Sequence, residues 1–547
     1  IGGKERWSVV KKAEWLRREL SKAKADLWFQ SFGCGAVLEN GKVVGVVVAT
    51  PFGRGVVRAK TVVDATGNAD IADCAGAETQ FGVAPGGMLS VQLAGYPPRN
   101  LGDNVNNTCF ALVDDTSVVD VWHLMTQTRR QADTSRPYDF GQLLDSRERR
   151  RIVADFMLAT PDILNHRSFS DTVSQHKSNF DAAAFPTSPM LLVKDMKGPA
   201  FDVDLPYRSL LPKGVDGLLV TGLGAGAERD AMTLIRMQAD VQNQGYAAGV
   251  AAAMAAANGG HTRAIDVKAL QRQLVDKGAL EARVLTDIDS NPVSLDALAK
   301  SVAEVGSLGR EIKQSRAVED PAIFSLAMVM AHPEQALPLL RQAFGAAVDT
   351  DRKLTYAKIL GVLGDATGAP ALVAAIESAA TWDRGFGLTS HRESDNTFSE
   401  LDRQIIALGL SRAADGVEAV VAKIGLLTPE SELSHVLAVS IALRQFGRVP
   451  GAVEPLARLL KMPGFSGHAL TAAVGGRQGW VAERDVATTK PDTNLNAAFK
   501  ELVVAGLLVQ CGDSQGQGRG ILEQYGRGVE GQFVRYAREA LQRVPQR

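Results

Sequence analysis

Beyond Pro321 the chain repeats one arrangement: two apolar helical runs joined by a short turn, recurring at roughly forty residues. Residues 352–363 and 369–376 flank Gly364-Asp365, residues 403–410 are followed by 416–424, and residues 435–446 by 450–460. One such pair cannot bury both apolar faces, so neighbouring pairs must stack. The period lies in the range of HEAT and armadillo repeats and predicts an all-α, HEAT-like solenoid over 321–547. The polar stretch 384–399 is expected to interrupt it as a loop.

The chain before that point has a different texture. Residues 5–24 read as an amphipathic helix carrying Trp7, Val10, Trp15 and Leu20. Apolar runs 34–38 and 43–49 flank Glu39-Asn40-Gly41-Lys42, and Asn-Gly between such runs marks a hairpin because both turn residues need positive φ. A third run, 56–63, ends at Asp64-Ala65-Thr66-Gly67. A β-meander feeding a strand that stops at a small-residue turn predicts an α/β domain with a loop close to a ligand. Residues 88–205 lack a clear period and are expected to form a separate lid or substrate layer. Residues 217–222 read as a buried strand, 241–257 as a helix closed by Asn258-Gly259-Gly260, and 286–320 as a linker.

Charge and cysteine usage exclude several classes. Sixty basic residues against 61 acidic ones lack the basic surplus of a nucleic-acid binder. Cys34, Cys74, Cys109 and Cys511 have neither metal nor disulfide spacing, so no metal site is expected and the first three read as small buried residues. The Ala-rich run 245–257 is too short to span a bilayer, and no membrane partner is expected. The chain starts at Ile1 almost directly in a helix, which reads as a broken end.

Gly222-Leu223-Gly224-Ala225-Gly226-Ala227 matches G-x-G-x-x-A after a strand. A dinucleotide fingerprint opens a helix at once and is followed by an acid at the end of the next strand. Here Glu228-Arg229-Asp230 intervenes, and Asp240 lies in a segment leading into the Ala-rich helix. A flexible glycine turn is the simpler reading. Arg149-Arg150-Arg151 reads as a solvated helix face, and His166 and His176 as surface residues.

An ordered series of segments points further: the turn from Asp64 to Asp70, Arg147-Glu148-Arg149-Arg150-Arg151-Ile152, Asp171, the run from Leu205 to Lys213, Leu219-Val220-Thr221-Gly222, the helix bearing Gly245, and Leu270-Gln271-Arg272-Gln273-Leu274. Over residues 5–280 this series resembles the FAD-dependent oxidoreductases with a two-part, glutathione-reductase-like flavin-binding domain. The resemblance implies that 1–87 and 206–285 are the two parts of that domain, with 88–205 inserted as the substrate layer. It implies that Ala65, Thr66 and Gly67 lie near the nucleotide end of FAD. Gly222, Leu223, Arg236, Gly245 and Ala248 would surround the ribityl chain and ring. Tyr207, Arg208 and Arg150 are the expected substrate-facing, catalytic residues. Independently of the resemblance, the N-terminus of a helix suits the negative charge of a reduced flavin, Gly245 leaves room for the ring, and Ala248 and Gly249 permit close helix–sheet packing.

Three departures accompany the resemblance. The early G-x-G-x-x-G is absent, Leu223 stands where the family carries arginine, and Ala182-Ala183-Ala184 follows Asp181 where the family carries histidine. The expected activity is hydride transfer to flavin from an unidentified small-molecule or carbohydrate-like substrate. A pyrophosphate cradle is then expected from an upstream segment or a separate chain, and residues 1–547 alone are expected to bind FAD poorly. The competing expectation is a non-catalytic scaffold that uses the helical array for binding.

Overall fold

The computed structural model describes residues 9–81, 150–180, 186–194, 200–308, 321–387, 398–469, 493–528 and 531–543, with short pieces between 93 and 146. Trp7, Cys109, residues 147–149 and residues 181–184 lie outside the described residues, as does most of the expected substrate layer before Arg150. After helix Val9–Lys22, the strands Phe32–Glu39, Lys42–Thr50 and Gly53–Arg58 form an antiparallel meander in chain order. Asn40 and Gly41 take φ of 50° and 76°, the two positive values that a tight hairpin with this twist requires.

The third apolar run is two strands rather than one. The meander ends at Arg58, and Val62–Asp64 pairs in parallel with Leu218–Val220. A segment antiparallel to its neighbour must turn before entering a parallel pair, and residues 59–61 make that turn. Ala59 N–H still donates to Val44 O at 3.0 Å, whereas Val62 N–H already donates to Gly217 O at 2.9 Å.

From Pro321 to Lys461 no strand occurs among the described residues. The expected helix pairs are Thr350–Val362 with Ala369–Ser378, Glu400–Ser411 with Val417–Ile424, and Leu433–Phe446 with Val453–Lys461. The first helices of successive pairs pack on one another, and so do the second helices. Asp349, Ser399 and Asp365 accept backbone N–H groups at the starts of their helices, which satisfies donors that would otherwise lack partners.

Two expected boundaries are corrected by packing. Residues 286–320 are not a bare linker: helix Leu295–Val305 packs on Pro321–Ala331 and Pro333–Ala346. Just before it, Ser168 Oγ donates to Ile288 O at 2.9 Å and Ser170 Oγ to Asp289 at 2.8 Å. Residues 309–320 lie outside the described residues. The described part of 88–205 is likewise not a separate layer. One apolar core runs from Leu158 and Phe169 through Leu191 and Leu270 to Leu437 and Phe533. Met190, Leu191, Leu192 and Val193 form the short helix Pro189–Val193, buried against Thr350–Val362 and Glu400–Ser411. Burying each such side chain contributes about 1.5–3 kcal/mol, which favours one continuous body over separate lobes.

A smaller core, with Val43, Ile71, Ile152, Leu218 and Val220, lies under the meander and the parallel pair. Cys34 and Cys74 are exposed rather than buried, Cys34 because its stretch of the first meander strand faces outward. Cys511 is buried. No described helix is long and apolar enough to cross a membrane.

Candidate functional site

The two parallel strands end side by side, and the turns that leave them define the site. Asp64 closes the first strand with its carboxylate 1% exposed. One oxygen accepts the Thr66 N–H at 3.0 Å and the Thr66 hydroxyl at 2.7 Å; the other accepts the Ile71 and Ala72 N–H groups at 2.9 and 3.0 Å. The carboxylate therefore ties the 65–67 turn to the helix Asp70–Cys74 behind it. Gly67 and Ala69 take positive φ, and the turn leaves Ala65 and Thr66 exposed.

Arg150 clamps the same turn from outside. Its backbone N–H and Nε donate to Asn68, and its guanidinium pairs with Asp70 at 2.7 Å and Asp73 at 2.5 Å. Arg151 begins a short buried strand, Arg151–Ile152, so the described part of the arginine run is neither helical nor solvated.

The second strand continues into Thr221, whose N–H donates to Asp64 O at 3.0 Å. Gly222 has φ of 69°, and its N–H donates at 3.0 Å to Gln244 Oε1 in helix Gln238–Ala257. Gln244 is fully buried and returns its own N–H to Ile235 O at 2.7 Å. A side chain on Gly224 would stand 3.1 Å from Ala69 N, so the two turns touch directly. Gly222-Leu223-Gly224 forms a 3₁₀ turn and opens no long helix, in keeping with a glycine turn rather than a dinucleotide fingerprint.

The helix begins at Gln238, earlier than expected, so Asp240 sits in its first turn. Its buried face carries Asp240, Gln244, Ala247, Ala248, Ala251 and Ala255. Ala248 is 0% exposed and packs closely within the core. Gly249 does not share that role, because open space surrounds the place where its side chain would be. Gly245 has the same open surroundings and is exposed. Leu223 and Arg236 are half-buried at the two ends of the connecting segment. The structure thus brings the turns bearing Gly67, Gly222 and Leu223 together at the ends of the two parallel strands, with helix Gln238–Ala257 beside them.

Tyr207 and Arg208 both have partners within the protein, Tyr207 buried and Arg208 partly exposed. The Tyr207 ring is buried, its hydroxyl donates to Thr262 O at 2.8 Å, and burial pushes its pKa well up. Arg208 pairs with both oxygens of Asp171 at 2.9–3.0 Å and with Asp289 at 2.8 Å. That places Asp171 in an ion pair rather than beside either histidine. His166 is exposed, but His176 is buried, with Nδ1 3.5 Å from Asp240 Oδ1, because strand Thr172–Ser178 packs on the helix Gln238–Ala257.

Glu228 was legible only as an interruption of the glycine motif. It is half-buried, and its Oε2 accepts the Thr160 N–H at 3.3 Å. Burial pushes its pKa up to about 7; the Thr160 N–H opposes the rise, the Asp230 and Asp162 carboxylates add to it, and Arg151 opposes it. No pattern in the sequence marks such a residue, since Thr160 and Asp162 are remote in the chain.

The residues fit a flavin in part. Exposed small residues at Ala65 and Gly245 leave room for a flat ligand, and a helix start lies nearby. Residues 9–139 and 120–274 match the family model described as FAD dependent oxidoreductase. The matched residues make up just under half of the chain, and the helical half lies beyond them. No curated protein and no solved structure matches the chain.

Proposed function

We propose that the protein is an FAD-dependent oxidoreductase that removes a hydride from a small-molecule or carbohydrate-like substrate, and that its helical half is a HEAT-like array bracing the catalytic half. The observation that carries this reading is the meeting of two parallel strand ends, at Asp64 and Val220, beside the helix that starts at Gln238. Ligand crevices in α/β sheets form outside the carboxyl ends of strands, where backbone groups are free to meet a ligand. Ala65, Thr66 and Gly67 would lie along the nucleotide, and Gly222, Leu223, Arg236 and Gly245 along the ribityl chain and ring. FAD, when bound, supplies the hydride acceptor. The protein's own part is to hold the crevice rigid: the Asp64 carboxylate and Arg150 fix one wall, and the Gly222–Gln244 hydrogen bond fixes the other. In this reading Tyr207, Arg208 and Arg150 are positioning residues, since each spends its polar atoms inside the protein.

The competing scaffold reading is favoured by Leu223, which stands where the resembling family carries arginine. Heat release of flavin from the protein as isolated, followed by absorbance, separates the two. A flavin spectrum at near-equimolar amount is expected. Protein isolated without flavin, and unable to take up added FAD, overturns the oxidoreductase reading. Tight FAD binding by residues 1–547 alone would refute only the expectation of a cradle from elsewhere.

A further inference from the structure

Glu228 stands at the end of the segment that leaves the Gly222–Gly224 turn, and its backbone is pinned on both sides. Gly226 N–H donates to Ser209 O at 2.8 Å, and Glu228 N–H donates to Leu158 O at 2.8 Å. The strand Arg151–Ile152 packs against the glycine turn and brings Arg151 near the Glu228 carboxylate. Three carboxylates share this corner, and two are fully committed. Asp162 accepts Arg167 Nη1 at 2.8 Å and Ala159 N–H at 2.9 Å. Asp230 accepts the Thr187 and Ser188 N–H groups at 2.6 Å and Arg229 at 3.0 Å. Glu228 has one oxygen on Thr160 N–H, while its Oε1 accepts no hydrogen bond among the described residues and is not sealed from solvent. A fixed backbone, one anchored oxygen and one open oxygen are what a proton-accepting group requires.

We propose that Glu228 is the acid–base residue of the site, taking the proton that an alcohol or amine substrate loses as its neighbouring carbon gives up a hydride. The proposal rests on the oxidoreductase reading and names the substrate class for it. The substrate C–H bond breaks with its electron pair leaving for the flavin oxidant. The O–H or N–H bond breaks, its electrons form the new C=O or C=N bond, and its proton goes to Glu228 Oε1. The raised pKa, about 7, suits a group that must both accept and release a proton near neutral pH.

The charged groups that act on this carboxyl are Asp162 from the short helix Thr160–Leu164, Asp230 from its own segment and Arg151 from the short strand; Arg167 pairs with Asp162 and Arg229 with Asp230. Because the folded pKa is raised, Glu228 stabilises the fold fully below the unfolded value near 4.5, and this contribution is lost as pH rises to about 7.

Two measurements on wild type and Glu228→Gln test the proposal. In urea unfolding, the wild-type unfolding equilibrium relative to the variant should change roughly tenfold per pH unit between those limits and level off above. In the flavin-loaded protein, bound-flavin absorbance should titrate with a midpoint near 7 in wild type and lose that inflection in the variant. Glu228→Asp should retain an inflection at a displaced midpoint. A stability titration without any flavin inflection would show a structural carboxyl remote from the ring and overturn the proposal, leaving the oxidoreductase reading intact. Absence of the stability difference would also overturn it. A wild type that takes up no flavin would overturn the parent reading and this proposal together.

Discussion

Replacing Asp64 by asparagine changes one atom type at a residue on which two structural elements converge. The carboxylate accepts four hydrogen bonds, from the Thr66 N–H and hydroxyl and from the Ile71 and Ala72 N–H groups. Asparagine has a single acceptor oxygen, so its NH₂ must face one pair of donors. Ile71 and Ala72 are buried, whereas Thr66 is exposed and its donors can turn to water. The amide therefore turns its oxygen toward Ile71 and Ala72 and its NH₂ toward Thr66. Two charge-assisted bonds become neutral ones, a loss of about 1–1.5 kcal/mol each, and the Thr66 N–H is returned to water. The sum is about 3 kcal/mol. Asp64→Ala, which strands both buried N–H groups, should cost about 4–5 kcal/mol by the same reasoning. Urea unfolding followed by circular dichroism reads these differences, with Thr66→Val as a control worth about 1 kcal/mol. An Asp64→Asn protein within about 1 kcal/mol of wild type would refute the argument that this carboxylate holds the turn.

Gly245→Ala fills open space in mid-helix, so stability should rise by about 0.5–1 kcal/mol while FAD affinity falls; unchanged FAD binding would place the ring elsewhere. Tyr207→Phe leaves the buried Thr262 carbonyl without the tyrosine hydroxyl and should cost about 1–2 kcal/mol without lowering flavin content; lost flavin at unchanged stability would return Tyr207 to the site. Gly226→Ala drives a methyl into Ala154 and to 3.0 Å from Phe156 O, which should cost about 3 kcal/mol or abolish soluble expression; a cost below about 1 kcal/mol would mean that the segment before Glu228 is not rigid.

Local signals carried most of what was legible. Asn40-Gly41 specifies its hairpin because few other residue pairs tolerate two positive φ values, and the structure has both. The helix pairs beyond Thr350 follow from apolar period and turn residues alone, with ends displaced by only a few positions. The two segments, Asp64 to Gly67 and Leu219 to Gly222, were legible singly, and the structure supplies the parallel pairing of the strands that lead into them. Long-range partners left no mark. Arg208 reads as a substrate-facing residue until Asp171 and Asp289 are seen to hold it, and Asp289 lies 81 residues away. His176 reads as a surface residue because one histidine in an alternating strand gives no indication of which face is covered. Residues 286–320 read as a linker because their polar composition conceals groups, the Ile288 carbonyl and the Asp289 carboxylate, that dock on Ser168 and Ser170.

The oxidoreductase and scaffold readings divide the chain into a working half and a binding half, yet contacts join the two halves close to Glu228. Asp230, two residues after Glu228, caps the start of helix Pro189–Val193 through the Thr187 and Ser188 N–H groups. That helix is half a turn longer than a single loop of helix and buries four apolar side chains in the core shared with the helical half. Its Leu191 and Leu192 carbonyls accept Arg403 Nη1 at 2.9 and 3.1 Å, so the array supplies donors where the short helix ends. Four hydrogen bonds, two at each end of the short helix, therefore lead from helix Glu400–Ser411 to the corner that holds Glu228. Those of Ser188 and Arg403 lie between buried groups, which makes them costly to break and leaves the segment little freedom to move. The helical half thus contributes, through Arg403 and the short helix, to fixing the segment that carries Glu228.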